Sequence, residues 1–385
     1  MPNPYIHDQR PLRIYWETTR ACDLACRHCR ASAAPDRDPG ELNTIEGFGL
    51  LQRLAAFGDP LPHLVLTGGD PLKRADLFDL IAAARQLGIQ VSVAPSATPL
   101  LTADALRQLK DAGIDAISLS LDGSTAEAHD AIRAIPGTYE RTLGAAWTAR
   151  EIGLPFQVNT LVCTDTIDDL PAIYEQVLAL GAARWSLFFL VTVGRGEVLQ
   201  PVSPERAEEL LNWVAGLAET ARRAGLIVTT TEAPHLRRIV SERRRKMMPM
   251  AVVEQAGTPG NGHPGHPGGT VQHAAGIRDG NGILFISHTG EICPSGFLEL
   301  PTGNVRTDDV VEVYRNAPLF RELREPEQFT GRCGSCEYHF VCGGSRARAW
   351  AATGDPLGAD PLCTHEPAAH RETSIHAEPA VVHAR

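Results

Sequence analysis

A chain of 385 residues, 43% hydrophobic and 21% charged, is long enough for one large domain and a smaller one and is ordinary in composition for a globular protein. Its net charge of −10 argues against a general nucleic-acid binder, although Arg243, Arg244, Arg245 and Lys246 form a local basic run. No apolar run approaches a membrane span and the first residues lack a signal-peptide pattern, so the sequence reads as cytoplasmic, with no membrane or nucleic-acid partner expected.

Residues 1–10 read as a loose N-terminal arm. From Leu12 to about Gly196, short apolar runs alternate with amphipathic segments of helical period, the pattern of repeated βα units. Strands are expected at Leu12–Glu17, His63–Thr67, Ile89–Ala94, Ala116–Ser120, Phe156–Val162 and Trp185–Leu190. Helices are expected at Thr44–Phe57, Asp76–Leu87, Ala103–Ala112, Tyr139–Ile152 and Asp168–Leu180, with Gly58, Gly88, Gly113, Gly153 and Gly181 marking their ends. Six parallel strands with crossover helices predict an α/β fold, a partial (β/α)6 TIM-like barrel over 11–200. In such barrels chemistry sits on the loops at the C-terminal ends of the strands.

An extension over 201–253 follows, with a helix at Glu205–Ala224, a strand-like Ile227–Thr231 and a basic helical piece at His235–Lys246. Residues 254–276, rich in Gly, Pro and His, read as a mobile loop whose histidines nothing holds in place. Ile283–Ser287 and Glu291–Cys293 flank a hairpin turn at His288, Thr289 and Gly290. A small cysteine-rich domain over 277–370 and a terminal tail over 371–385 complete the chain.

Nine cysteines in a reducing compartment read as metal ligands rather than disulfides, and they are grouped: three at the front, four near the back, with Cys163 and Cys293 apart. Cys22, Cys26 and Cys29, spaced C-x3-C-x2-C after the first expected strand, are one thiolate short of a closed tetrahedral zinc site. They can hold three irons of a [4Fe–4S] cube and leave the fourth open. A zinc knuckle completed by a distant ligand, or three unrelated buried thiols, is the alternative. With the aromatic His28 before the last cysteine, the run resembles the signature of radical S-adenosylmethionine (SAM) enzymes.

Further motifs follow in the order that resemblance implies. Gly68, Gly69, Asp70 and Pro71, at the end of the second strand, resemble the family's Gly-Gly-Glu-Pro motif, whose backbone binds the SAM amino group. Paired glycines allow that close approach; Asp70 stands where Glu is commoner, and an ordinary tight βα turn is the other reading. Alternation puts Ser118, Ser120 and Asp122 on one face of the fourth strand, and the resemblance implies Ser120 and Asp122 near the SAM ribose. Arg133 resembles the arginine that meets the SAM carboxylate; a surface ion pair is the alternative. Ser96, Asn159 and Thr160 are further candidates for ribose or adenine contacts.

Near the back, Cys333, Cys336 and Cys342 are spaced C-x2-C-x5-C and Cys363 follows. Four cysteines suit a closed [4Fe–4S] cluster or a structural zinc site. The pattern resembles the auxiliary-cluster domain called SPASM, found in maturases of ribosomal peptides and in relatives of haem-d1 and alternative-haem biosynthesis enzymes, which implies one auxiliary [4Fe–4S] cluster on these four. Many such domains hold a second, but Arg346 and Asp308 stand at two of its cysteine positions. Cys293 is therefore read as a buried or substrate-facing thiol and Cys163 as strand core.

These resemblances span about residues 11–366 and imply an enzyme. SAM would chelate the open iron, an external one-electron donor of the flavodoxin or ferredoxin type would reduce the cluster, and a 5′-deoxyadenosyl radical would take hydrogen from the substrate, with no side chain needed as nucleophile or general base. The substrate reading is a tetrapyrrole or similar small molecule, with Arg195 placed to meet a substrate carboxylate. The alternative is a ribosomally made peptide, against which the ten residues before the first strand are too few for the recognition domain many such maturases carry. A non-catalytic electron carrier is the other class, and the open-iron triplet argues against it.

Overall fold

The computed structural model describes residue 3 and residues 5–247 and 276–368. The loop expected at 254–276, but for Gly276, and the tail at 371–385 lie outside the described residues. Strands and helices alternate through the first part of the chain: β1 (Arg13–Thr19), α1 (Thr44–Ala55), β2 (His63–Gly68), α2 (Leu77–Gln86), β3 (Val91–Val93), α3 (Ala103–Asp111), β4 (Ala116–Ser120), α4 (Ala126–Arg133), α5 (Thr138–Glu151), β5 (Phe156–Val162), α6 (Leu170–Leu180), β6 (Arg184–Phe189), α7 (Pro204–Arg223) and β7 (Ile227–Thr231). Local chemistry sets several helix starts. Asn43 and Glu46 form a reciprocal capping box on α1, and Thr102, Thr125 and Ser203 cap α3, α4 and α7 with their hydroxyls.

Alternation along the strands separates two environments. Ile14 and Trp16 of β1, Leu64 and Leu66 of β2, Ile117 and Leu119 of β4, and Trp185 and Leu187 of β6 are buried in one apolar core with the helices. Truncating either tryptophan to Ala costs about 3–5 kcal/mol on general grounds. The opposite face carries Tyr15, Glu17, Thr67, Ser118, Ser120, Asn159 and Phe188 and forms the inside of the partial barrel.

The remaining elements are α8 (His235–Met247), β8 (Ile283–Ile286), β9 (Glu291–Cys293), β10 (Gly303–Asn304), α9 (Val310–Asn316), α10 (Pro318–Glu322), α11 (Gly331–Gly334) and α12 (Arg346–Thr353). All ten strands join one sheet in the order β10-β9-β8-β1-β2-β3-β4-β5-β6-β7. The six expected strands are present, and the sheet continues past them. β7, a threonine-rich run read as part of the extension, pairs parallel with β6 from Arg184↔Ile227 to Phe188↔Thr231. On the other side β8 pairs parallel with β1, from Arg13↔Ile283 to Trp16↔Ile286, and carries the hairpin to β9 with it. A lone strand in a sequence gives no sign of which edge it will join, so this pairing was not legible.

Residues 5–10, expected to be loose, are strapped down. Asn281 donates to Tyr5 O and accepts from His7 N–H, both at 2.8 Å, while the Tyr314 hydroxyl donates to His7 O at 2.6 Å and Arg315 Nε to Gln9 O at 2.9 Å. The partners lie in the last third of the chain, where no local pattern can point to them. No described helix is long and apolar enough to cross a membrane.

Candidate functional site

The loop after β1 is pinned across its neck: Cys22 N–H donates to Ala34 O at 2.7 Å and Ala34 N–H to Arg20 O at 3.2 Å. The turn after β6 reaches back onto the loop. Arg195 donates its backbone N–H to Cys29 O at 3.0 Å, its Nε to Cys26 O at 3.0 Å and its Nη1 to Ala33 O at 2.8 Å. Arg195 thus braces the cysteine loop through these groups, while its Nη2 is left without a protein partner beside the cavity. The bracing partners are backbone carbonyls, which leave no mark on a sequence.

Arg30, directly after Cys29, pairs with Glu17 inside the barrel at 2.9 Å and with Glu299 at 2.8 Å, and lies over the Phe285 ring at 4.4 Å. Glu17 also meets His288 Nδ1 at 2.7 Å. Burial alone would push the Glu17 carboxyl up, but Arg30 and His288 outweigh it and hold it below the ordinary range. This chain ties the cysteine loop to the β8–β9 hairpin. Sequence reasoning missed it, because each member is an unremarked charged residue in its own segment.

Cys22, Cys26 and Cys29 open onto one cavity of about 240 Å³. Gly68, Gly69, Ser96, Ser118, Ser120, Asp122, Arg133, Asn159 and Thr160 line the same cavity, so most residues picked from the sequence converge there. Thr160 is engaged structurally, its hydroxyl donating to Leu121 O at 2.7 Å and accepting from Trp185 Nε1 at 2.9 Å. Asp70 and Pro71 sit behind the lining. The Asp70 carboxylate accepts from Thr98 Oγ1 at 2.6 Å and from the N–H groups of Leu72 and Ser96 at 3.2 and 3.3 Å, while Ser96 Oγ donates to Gly69 O at 2.7 Å. Asp70 therefore shapes the backbone at Gly69.

The glycines are required by space. A Cβ on Gly68 would strike Thr19 O, and one on Gly69 would strike Ala21 O and Arg20 O at the root of the cysteine loop. Gly69→Ala is expected to displace that loop at a cost of about 1–3 kcal/mol, the usual price of overpacking. Anaerobic reconstitution should then load fewer irons on the N-terminal cysteines, and urea unfolding should read the destabilisation.

Asp122 is buried, and both its oxygens are engaged: Oδ1 accepts from Leu161 N–H at 2.7 Å and Oδ2 lies 2.5 Å from Arg133 Nη2. Arg133 Nη1 in turn stands 3.7 Å from Cys26 Sγ. His129 Nδ1 accepts the Asp122 N–H at 3.0 Å. Burial, and then the Arg133 charge, push both His28 and His129 down to about 4, so both rings are neutral at pH 7. Four buried nitrogens around the cavity have no protein partner: His28 Nδ1, His129 Nε2, Arg133 Nε and Arg195 Nη2. Such a set fits a polar ligand that brings its own donors and acceptors. At the other end Phe188 and Phe297 face each other with ring centroids 6.4 Å apart, beside Leu190 and Val191.

Cys333, Cys336, Cys342 and Cys363 line a second, smaller cavity together with His235 and Asp360. Cys333 Sγ accepts from Asp360 N–H at 3.4 Å and from Arg346 Nη2 at 3.5 Å, and Cys336 Sγ accepts from Tyr338 N–H at 3.4 Å. Burial would push the Cys363 thiol up, yet His235 beside it brings it below its ordinary value. Four converging sulfurs with N–H donors aimed at them suit a thiolate-bound metal or cluster. Cys293 is buried on β9; burial first, and then Glu291 and Glu299, push its thiol up. Cys163 packs with Ile132, Leu161, Leu190 and Leu199.

Residues 16–177 match the Radical SAM superfamily. The chain is 39% identical to a protein named AdoMet-dependent heme synthase from Oleidesulfovibrio alaskensis, over 92% of this chain and 87% of that one. A protein of the same name from Nitratidesulfovibrio vulgaris is 38% identical over 95% of this chain and 97% of its own. Proteins named PqqA peptide cyclase match at 28% identity and below. Among solved structures, Streptococcus suis SuiB bound to S-adenosylmethionine shares the fold at a TM-score of 0.69 and 17% identity, over 93% of this chain and 78% of that one.

Proposed function

The chain belongs to the radical SAM superfamily, and from that premise we propose that it oxidatively modifies a C–H position on a side chain of a tetrapyrrole or similar small substrate. As a radical SAM enzyme it works with SAM and a [4Fe–4S] cluster. Reduced by an external one-electron donor, that pair supplies methionine and a 5′-deoxyadenosyl radical able to take hydrogen from an unactivated C–H bond. The observation that carries the substrate reading is the 39% identity, over nearly the whole chain, to a relative named heme synthase.

In this reading Cys22, Cys26 and Cys29 hold the cluster, and the backbone at Gly68 and Gly69 receives the SAM amino group. Asp70 and Thr98 fix that backbone. Ser96, Ser120 and Asn159 offer polar atoms to ribose and adenine. Arg133 presents its Nε to the SAM carboxylate, and Asp122 acts through Arg133 by holding the neighbouring Nη2 rather than by touching the ribose. Arg30 and Arg195 keep the cysteine loop in place, while Phe188, Leu190, Val191 and Phe297 exclude water from the reacting end. Residues 11–200 form the catalytic core. Cys333, Cys336, Cys342 and Cys363, in the domain over 277–370, hold one auxiliary [4Fe–4S] cluster that accepts an electron from the substrate.

Reconstituted protein should carry about eight irons, two cubes of about four each, and Cys293→Ala should not change that count. A count near twelve, or loss of about four irons in Cys293→Ala, would overturn the assignment of a single auxiliary cluster. For the substrate, the reduced protein is incubated with SAM and either iron porphyrins or ribosomal precursor peptides. Porphyrin-dependent 5′-deoxyadenosine and a mass change in the porphyrin are expected. The same pair of signals from a peptide alone would transfer the function to peptide maturation.

A further inference from the structure

Three arginines crowd the auxiliary site, and none has a carboxylate within salt-bridge distance among the described residues. Arg346 is fully buried. Its Nη1 donates to Gly358 O at 2.7 Å and Pro356 O at 3.2 Å, its guanidinium lies 4.4 Å from the Phe329 ring centroid, and its Nη2 points at Cys333 Sγ. Arg278, also buried, lies 5.3 Å from the centroid of the same Phe329 ring and donates Nη1 to Gly276 O and Nε to Leu323 O. Arg237 donates to Val341 O at 3.3 Å, next to Cys342.

Such a group of cations is hard to account for by packing alone. Carbonyl oxygens solvate a guanidinium but do not cancel its charge, and burying an uncompensated ion is strongly unfavourable. Burial, with Arg346 and Arg237 as neighbours, pushes Arg278 down to about 9, while the nearby Cys342 acts in the opposite direction. Asp279 supplies part of the balancing charge at Arg278, and the four sulfurs supply the negative charge nearest Arg346. Four thiolates around a [4Fe–4S] core leave the site net negative, and one added electron makes it more so.

We propose that Arg237, Arg278 and Arg346 raise the reduction potential of the auxiliary cluster, with Arg346 the strongest because it alone of the three donates to a cluster sulfur. Net charge, hydrogen bonds to sulfur and solvent exposure set the potential of such clusters. Two buried cations, Arg278 and Arg346, with the half-buried Arg237 beside them, favour the state with one more electron, which makes this cluster an acceptor. The electron lost by the oxidised substrate is the electron the cluster gains. The inference rests on the auxiliary-cluster assignment above, and the iron count separates the two.

The test is a potentiometric titration of full-length, anaerobically reconstituted protein, read by electron paramagnetic resonance, with SAM added to identify the N-terminal cluster by the change in its signal. A wild-type count near four irons would remove the auxiliary cluster itself. With about eight irons present, Arg346→Gln should shift the auxiliary midpoint to lower potential and leave the other midpoint in place, and Arg346→Lys should restore part of the shift. An unchanged auxiliary midpoint in fully loaded Arg346→Gln would overturn the proposal. Should that variant lose its auxiliary irons, Arg278→Gln, which touches no sulfur, decides: a lower midpoint supports the proposal and an unchanged one overturns it.

Discussion

Replacing Cys22, Cys26 and Cys29 together by Ala is expected to abolish 5′-deoxyadenosine formation by the reduced protein while leaving about four irons bound. The first half follows from the cavity these three sulfurs share with Gly68, Gly69 and Arg133, since no other described cysteine lines it. The second half follows from the separate cavity of the four C-terminal cysteines. Iron analysis and chromatographic detection of 5′-deoxyadenosine on one preparation read both. Residual 5′-deoxyadenosine in the triple variant would sink the assignment of the SAM site, and loss of all iron would show that the two sites do not load independently.

Asp122→Ala is expected to cost about 3–5 kcal/mol of stability, because it strips a buried guanidinium of its counter-charge. Arg133 and Asp122 are both largely enclosed and lie 2.5 Å apart, and the Leu161 N–H would lose its acceptor as well. Urea unfolding of the apoprotein measures the loss without involving SAM. The double variant Asp122→Ala/Arg133→Leu should recover much of it, since removing both charges is far less costly than removing one. A loss under about 1 kcal/mol would mean that water reaches the pair and solvates Arg133. The pH dependence has a definite sign. Burial would raise the Asp122 carboxyl, but Arg133, His28 and His129 hold it below its ordinary value. Its contribution is therefore complete above the unfolded carboxyl value and is lost as pH falls through the folded one.

Much of this arrangement could be read from the sequence, because chemistry that needs adjacent residues leaves local spacing. The two cysteine sets, the glycine pair and the polar face of β4 all occupy short stretches. β-strand alternation and helix caps are equally local, which is why the six expected strands and their helices lie within a few residues of their places. What escaped was non-local. Glu17, Arg30, His288 and Glu299 become one chain of charges only once β8 lies beside β1. Arg195 looked wholly available because its acceptors are carbonyls. Arg346 could be noted only as a missing cysteine; its approach to Cys333 depends on a turn that brings Gly358 and Asp360 alongside.

The pairing of β1 with β8 also sets a timetable for synthesis. The strand carrying the cysteine loop is among the first to leave the ribosome, and the strand that covers one side of it comes some 270 residues later (Arg13 pairs with Ile283). At about 5–20 residues per second, that interval lasts roughly 15–50 s. Through it the nascent chain presents a bare hydrogen-bonding edge at Arg13–Trp16, the kind of edge that recruits other strands. A fragment ending near residue 200 keeps that edge permanently and would be the aggregation-prone form of this protein. The N-terminal cysteine set is complete long before that edge is closed, and the C-terminal set only after it.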